Sequence, residues 1–128
     1  MTTPIRILLV EDNDTFRETL ELLLGLRSDV VVVASVGDGA HAVTACKEHA
    51  PDVVLMDYRM PGLDGVQATR AVREVCPKAA IVVLTASANV REMHAFREAG
   101  AVACLSKTQD LDQIVEAILA AAGRLAWN

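Results

Sequence analysis

Aromatic residues are almost missing from this chain: Phe, Tyr and Trp together make up 3% of its 128 residues. A core of stacked rings is thereby excluded, and the 52% hydrophobic content has to pack as Val, Leu, Ile and Ala. Cysteine is sparse too. Cys46, Cys76 and Cys104 are odd in number and show no CxxC spacing, which excludes a disulfide framework or a zinc ribbon and suits ordinary thiols in a reducing cytoplasm. Basic residues are outnumbered, 12 against 17 acidic, for a net charge of −5. Such a surface does not grip nucleic acid by itself. No apolar run is long enough to span a bilayer, and Met-Thr-Thr-Pro-Ile-Arg has no signal-peptide character. One cytoplasmic domain with a single core is the expectation, with no membrane partner.

What is present is a repeated alternation. Apolar runs recur at Ile5 to Val10, Val30 to Ala34, Val53 to Met56, Ala80 to Leu84 and Val102 to Leu105. They do not alternate with polar residues, as expected of strands buried on both faces. Stretches of helical length lie between them. The first carries Phe16, Leu20, Leu23 and Leu24 at helical spacing, with Asp14 as the expected N-cap and Gly25 near its end. The second opens after Gly37-Asp38 and runs through Ala42, Cys46 and His49 to Pro51; the third starts near Asp64 and stops before Pro77. The fourth spans roughly Asn89 to Ala99, closed by Gly100. The fifth has Leu111, Ile114, Val115, Ile118, Leu119 and Ala122 on one face, and Asp110 with Gln113 resembles a capping box. Strand and helix alternating five times predict an α/β fold, a doubly wound parallel sheet covered on both sides.

The strand ends carry the chemistry. The first run ends on Glu11-Asp12, the third on Asp57, the fourth on Thr85, and the fifth runs towards Lys107. Ligands of open α/β sheets bind beyond the carboxyl ends of the strands, where the winding reverses. If the strand order is 2-1-3-4-5, Glu11, Asp12 and Asp57 meet at the reversal, flanked by Thr85 and Lys107. Three carboxylates at close range take up protons or recruit a cation. An all-oxygen set suits Mg²⁺. Asp57 can then attack phosphorus as a carboxylate nucleophile, with Lys107 and the Thr85 hydroxyl on the phosphoryl oxygens and the small Ala86 leaving the approach open.

Each residue alone has a plainer reading. A single Asp at a strand end is usually a helix cap or turn residue, Lys107 a surface charge, and Glu11-Asp12 a cap on the first helix. Joint occurrence in this order favours a phosphoryl-accepting site, with Met60-Pro61 and Asp64-Gly65 shaping its loop. His41, His49 and His94 are scattered over helices and read as surface residues. Gly37-Asp38-Gly39 reads as a strand-to-helix turn, and the pairs Arg70 with Arg73 and Arg91 with Arg97 as solvated helix faces.

Leu8-Leu9-Val10-Glu11-Asp12, Asp57-x-x-Met60-Pro61-x-x-Asp64-Gly65, Thr85-Ala86 and Lys107 together resemble a bacterial two-component response-regulator receiver domain. The resemblance covers residues 1–128, with no effector domain in the chain. It implies a five-stranded flavodoxin-like sheet of order 2-1-3-4-5 with five helices. It also implies that Asp57 accepts a phosphoryl group from a sensor histidine kinase. Asp12 and Asp57 would ligate Mg²⁺ directly, the Arg59 backbone carbonyl would be a third ligand, and Glu11 would act through water. Thr85 and Lys107 would hold the phosphoryl group, and the face of the fourth helix, fifth strand and fifth helix would respond. Catalysis would be confined to the domain's own phosphorylation and dephosphorylation.

Two positions depart from the common pattern. Cys104 stands where many receivers carry a switching Tyr or Phe, and Thr108 follows Lys107 where many have Pro, a variant similar to receivers of LuxR-type regulators. Arg59 and Ser87 flank the pocket entrance, where the family tunes dephosphorylation. The apolar fifth helix would suit a homodimer on activation, and DNA would be reached only through a separate C-terminal domain. Two other readings stay open: a degenerate receiver that docks partners without phosphorylation, and an aspartyl phosphohydrolase, which commonly needs an acid where Arg59 stands.

Overall fold

The computed structural model describes residues 3–57, 65–85, 90–107 and 110–123, with Asp57 described through its backbone. The strands are β1 (Ile5–Val10), β2 (Val30–Val36), β3 (Val53–Asp57), β4 (Ala80–Thr85) and β5 (Ala103–Ser106). Between and after them run α1 (Asp14–Gly25), α2 (Gly39–His49), α3 (Gly65–Val75), α4 (Val90–Ala99) and α5 (Leu111–Ala121). The five strands form one parallel sheet in the order β2-β1-β3-β4-β5.

Alternation along each strand sorts the core into two halves. Ile5, Ile7 and Leu9 of β1 join Val53, Leu55, Val82 and Leu84 under Leu20 and Leu24 of α1 and Ile114, Val115 and Ile118 of α5. Leu8, Val10, Val54, Met56, Ile81 and Val83 face the other way, against Ala42 and Cys46 of α2, Ala68 and Val72 of α3, and Phe96 of α4. The sheet is thus covered on both sides, as a parallel sheet requires. That burial is nearly complete in the inner strands β1, β3 and β4, where Arg6 and Ala80 are half-buried. The edge strand β2 is mostly half-buried, and β5 buries only Cys104 fully. Apolar runs on an edge look like those at the centre, because one face still packs and the other is shielded by neighbouring side chains.

Several boundaries differ from expectation. β2 continues to Val36, because its ladder with β1 extends to the Val10–Val36 pair. β5 begins at Ala103, one residue after Val102, which is half-exposed. The N-cap of α1 is Asn13 in place of Asp14: its side chain accepts from the Phe16 N–H at 2.8 Å, and Asp14 is already helical. Asp38 caps α2 in the strand-to-helix turn expected there, and the Asp110–Gln113 capping box is present. Gly100 follows α4 with φ +119, a left-handed region in which glycine is favoured. A Cβ there would stand 2.9 Å from the Cγ of Arg73. Arg73 is therefore more than a solvated charge. Its stem packs under Gly100 and its guanidinium donates to the Pro77 carbonyl at 2.7 Å. The three histidines lie on helices, with His41 beside Asp38 at 2.7 Å and His94 beside Glu98 at 3.0 Å.

The cap assignment has a direct test. Asn13→Ala is expected to lower unfolding free energy by about 1 kcal/mol, and Asp14→Ala by about 0.5 kcal/mol or less, since it loses an exposed ion pair. Urea unfolding of both variants checks the order; a larger loss for Asp14→Ala would return the cap to that residue.

Candidate functional site

β1 and β3 are neighbours, and the chain winds away from them in opposite directions. Their register pairs Leu9 with Leu55 and Val10 with Met56, so the next residue of each strand is Glu11 on one side and Asp57 on the other. β4 continues the row, pairing Leu84 with Asp57, and β5 pairs Ser106 with Thr85. Four of the expected site residues are fully described and lie at the carboxyl edge of this sheet: Glu11, Asp12, Thr85 and Lys107. The backbone of β3 delivers Asp57 to the same edge. Arg59, Ala86 and Ser87, the loop pairs Met60-Pro61 and Asp64-Gly65 through Asp64, and Thr108 lie outside the described residues, as does the side chain of Asp57.

The two acids after β1 are not equivalent. Glu11 is 1% exposed, while Asp12 is exposed. The Glu11 backbone N–H prolongs the sheet by donating to the Val36 carbonyl at 3.0 Å, which pins the residue at the strand end. Its Oε2 accepts from the Asn13 N–H at 3.1 Å, and its Oε1 lies 3.3 Å from the Lys107 ammonium. An ionised carboxylate in so buried a place needs such company. Lys107 is in turn held by backbone and ring. Its N–H donates to the Thr85 carbonyl at 2.8 Å, and its ammonium lies 5.1 Å from the centre of the Phe16 ring, within cation–π range. Thr85 is itself buried, at 2% exposure.

Three residues of this arrangement escaped the sequence. Phe16 reads as one more apolar position of α1, yet its ring also supports the ammonium of Lys107. Asn13 both caps α1 and donates its N–H to Glu11. Arg17 donates to the Glu11 carbonyl at 2.7 Å and to Asp14 at 2.7 Å, and its guanidinium lies against Gly37 in the β2–α2 turn. Arg17 thus joins the ends of β1 and β2. A signal existed for it: a cation one turn into a helix that follows an acidic strand end has carbonyls within reach.

The donors at the edge are oxygens only, which fits a hard cation such as Mg²⁺ and not a zinc or iron–sulfur site. Among the described residues no three His, Cys, Asp or Glu side chains stand together as a metal cluster. The third carboxylate in question is that of Asp57. Cys104, expected at the switch position, is buried on the α4 side of β5, and its thiol is raised above the ordinary range by burial, with Arg97 opposing the rise and Glu92 adding to it.

The sequence matches the response regulator receiver domain family over residues 7–119. It is 36% identical over 117 residues to the transcriptional regulatory protein LiaR of Bacillus subtilis, covering 91% of this chain and 56% of that protein. It is also 36% identical over 115 residues to the probable transcriptional regulatory protein NarL of Mycobacterium tuberculosis, covering 90% of this chain and 53% of the relative. This chain therefore spans about half the length of these relatives. The fold superposes on the signal receiver domain of that NarL with a TM-score of 0.90 at 34% identity, covering 95% of this chain and 98% of the other. A protein-glutamate methylesterase of Nitrosospira multiformis is 39% identical over 105 residues, but only 30% of its length is matched.

Removing the ammonium of Lys107 tests the electrostatics described above. Lys107→Met keeps an apolar stem on Phe16 and removes the ammonium that lies 3.3 Å from Glu11 Oε1. Stability is expected to fall by about 1–2 kcal/mol, below the cost of breaking a fully buried pair because Lys107 is 25% exposed. A loss under about 0.5 kcal/mol in urea unfolding would reduce the pair to an ordinary surface contact.

Proposed function

This chain belongs to the response regulator receiver domain family of two-component systems, and we propose that it is a phosphorylation-controlled switch with Asp57 as the phosphoacceptor. The observation that carries this reading is the buried Glu11–Lys107 pair beside Thr85, at the edge to which β3 brings Asp57. The phosphoryl donor is the phosphohistidine of a sensor histidine kinase. An oxygen of Asp57 attacks phosphorus, the phosphorus–nitrogen bond breaks, and the imidazole leaves with its electron pair.

Asp12 and Asp57, with the Arg59 carbonyl, would hold Mg²⁺, and Glu11 would contact it through water. Bound there, the cation supplies neutralisation of the charge that gathers between acid and phosphate. The residues of the chain do the rest. Lys107 is poised on Glu11 and Phe16, and a phosphoryl oxygen gives its ammonium a stronger partner. The Thr85 hydroxyl donates to a second oxygen. A phosphoryl group adds about −1.5 to −2 charge at a site that already holds three acids. Redistribution of Lys107 and Thr85 around that charge is the local event that biases the domain between two states. Ala86 keeps the approach to phosphorus open, and Arg59 and Ser87 govern access of water to it.

The relatives are named as transcriptional regulators and extend well past the matched region. We infer that transcription is the output, reached through a DNA-binding domain outside residues 1–128, with the kinase as the upstream partner, a cytoplasmic location, and a homodimer through α5 on activation. The domain catalyses only its own phosphorylation and loss of phosphate. Cys104 favours one second reading, phosphorylation-independent docking, since a thiol provides no ring to rotate.

Intact-protein mass spectrometry with Mg²⁺ and a small phosphodonor is expected to show one added phosphoryl group, lost in Asp57→Ala and without Mg²⁺. An adduct that persists in Asp57→Ala would move the acceptor elsewhere; no adduct on folded protein, together with partner binding indifferent to Asp57→Asn, would establish the docking reading. Arg59→Ala is expected to change the autodephosphorylation half-life of the phosphoprotein. Equal half-lives for the two proteins would remove Arg59 from the control of phosphate loss.

A further inference from the structure

At the opposite end of the sheet two cysteines meet. Cys46 lies in the last turns of α2 and is fully buried; Cys76 directly follows α3 and is half-buried. The backbone N–H of Cys76 donates to the Val72 carbonyl at 2.8 Å, so the residue is held by the last turn of α3. Its thiol donates to the Cys46 carbonyl at 3.2 Å, across the contact between the two helices. The Cys46 thiol is raised to about 12, first by burial and further by the neighbouring Cys76.

The two thiols differ in access. A groove of about 560 Å³ at this end is lined by Cys76 together with Pro51, Asp52, Pro77, Lys78 and Ala121. Cys46 is not part of that lining. A reagent entering the groove reaches Cys76 before Cys46, which is 0% exposed. Nothing in the phosphoryl-transfer reading uses either sulfur.

We propose that Cys46 and Cys76 form a redox-active dithiol that accepts oxidising equivalents from low-molecular-weight disulfides, with Cys76 as the entry thiol and Cys46 as the resolving thiol. In the first step the Cys76 thiolate attacks one sulfur of the small disulfide. That sulfur–sulfur bond breaks, one small thiolate leaves, and a mixed disulfide remains on Cys76. In the second step Cys46 gives its proton to water and attacks the Cys76 sulfur, and the second small thiolate leaves. The protein thiols lose two electrons and two protons, and the small disulfide is reduced to two thiols. The first step prepares the second. Once the Cys76 sulfur is in a disulfide it carries no negative charge, so one of the influences that keep the proton on Cys46 is gone. Lys78 in the groove wall favours a disulfide that bears carboxylates.

The closed form ties the end of α2 to the end of α3 and encloses β3 with Asp57 in the loop between residues 46 and 76. The two ends of the domain are then joined through one covalent ring.

The test incubates the folded full chain carrying Cys104→Ser with oxidised glutathione, followed by intact mass and peptide mapping under acid quench. The expected product has lost two hydrogens, yields joined Cys46 and Cys76 peptides, carries no glutathione, and returns to the dithiol on reduction. Cys46→Ala in the same background is expected to accumulate glutathione on Cys76, and Cys76→Ser to remain unmodified. The parent protein decides the matter even where a variant folds poorly. A lasting glutathione adduct on Cys76 with Cys46 present would overturn the proposal, as would a Cys46–Cys76 bond formed only after unfolding in urea.

Discussion

Everything in this domain follows from one constraint: the backbone of β1, β3 and β4 is buried from both sides. Every N–H and C=O in those strands must find its partner in the neighbouring strand, and no polar side chain stands between Ile7 and Val10, Val53 and Met56, or Ala80 and Leu84. Val10, Met56 and Leu84 are each at most 1% exposed, and each is followed by a residue with a polar or charged side chain. Chemistry is thus pushed to the ends of the strands. Because the strands are parallel, all their carboxyl ends fall on one edge. Because the winding reverses between β1 and β3, the helices leave that edge open there.

What gathers at the edge is an electrostatic problem with a narrow solution. Glu11 is nearly without solvent, Asp12 is its neighbour, and β3 adds Asp57. The described structure offsets this charge with one ammonium, an N–H donor and a helix start. Lys107 approaches from β5, the Asn13 N–H from the turn into α1, and the positive end of α1 begins at Asp14, just after Glu11 and Asp12. Arg17 adds its charge to the Glu11 carbonyl, on the backbone side of the same residue. On the proposed reading, a cation bound among Asp12 and Asp57 would complete this balance.

Most of this was legible from the sequence, for identifiable reasons. Uninterrupted aliphatic runs mark inner strands well, because few other structures tolerate Val53-Val54-Leu55-Met56 without a polar break. The order in which the strand ends carry acid, acid, hydroxyl and ammonium pointed to one edge of the sheet, and Glu11, Asp12, Thr85 and Lys107 lie there with the backbone of Asp57. Edge strands were read as inner ones, since the half-buried side of β2 is also built of Val and Ala. The cap was misplaced by one residue because Asn13 and Asp14 are both good caps, and only the approach of Asn13 to the Phe16 N–H distinguishes them. The further contacts of Phe16 and Arg73, and those of Arg17, escaped the sequence for a shared reason. Each does two things, and side-chain type with helical spacing reports only the first.

The expected switch position bears on how the proposed signal would travel. Cys104 sits on the α4 side of β5, in the same half of the core as Phe96, and Met93 also packs against that half. The large ring of this region therefore comes from the helix and is 0% exposed, while the strand contributes a small thiol. A ring on the strand could rotate between two places and leave α4 where it is. Phe96 has no such freedom, because close-packed interiors leave no second site for a ring. On the proposed reading, any response of this face to charge at Asp57 must move α4 together with Phe96. Packed elements move in discrete steps, so the response belongs to the helix as a body, and its size is set by how well the α4–β5 contact repacks around Cys104.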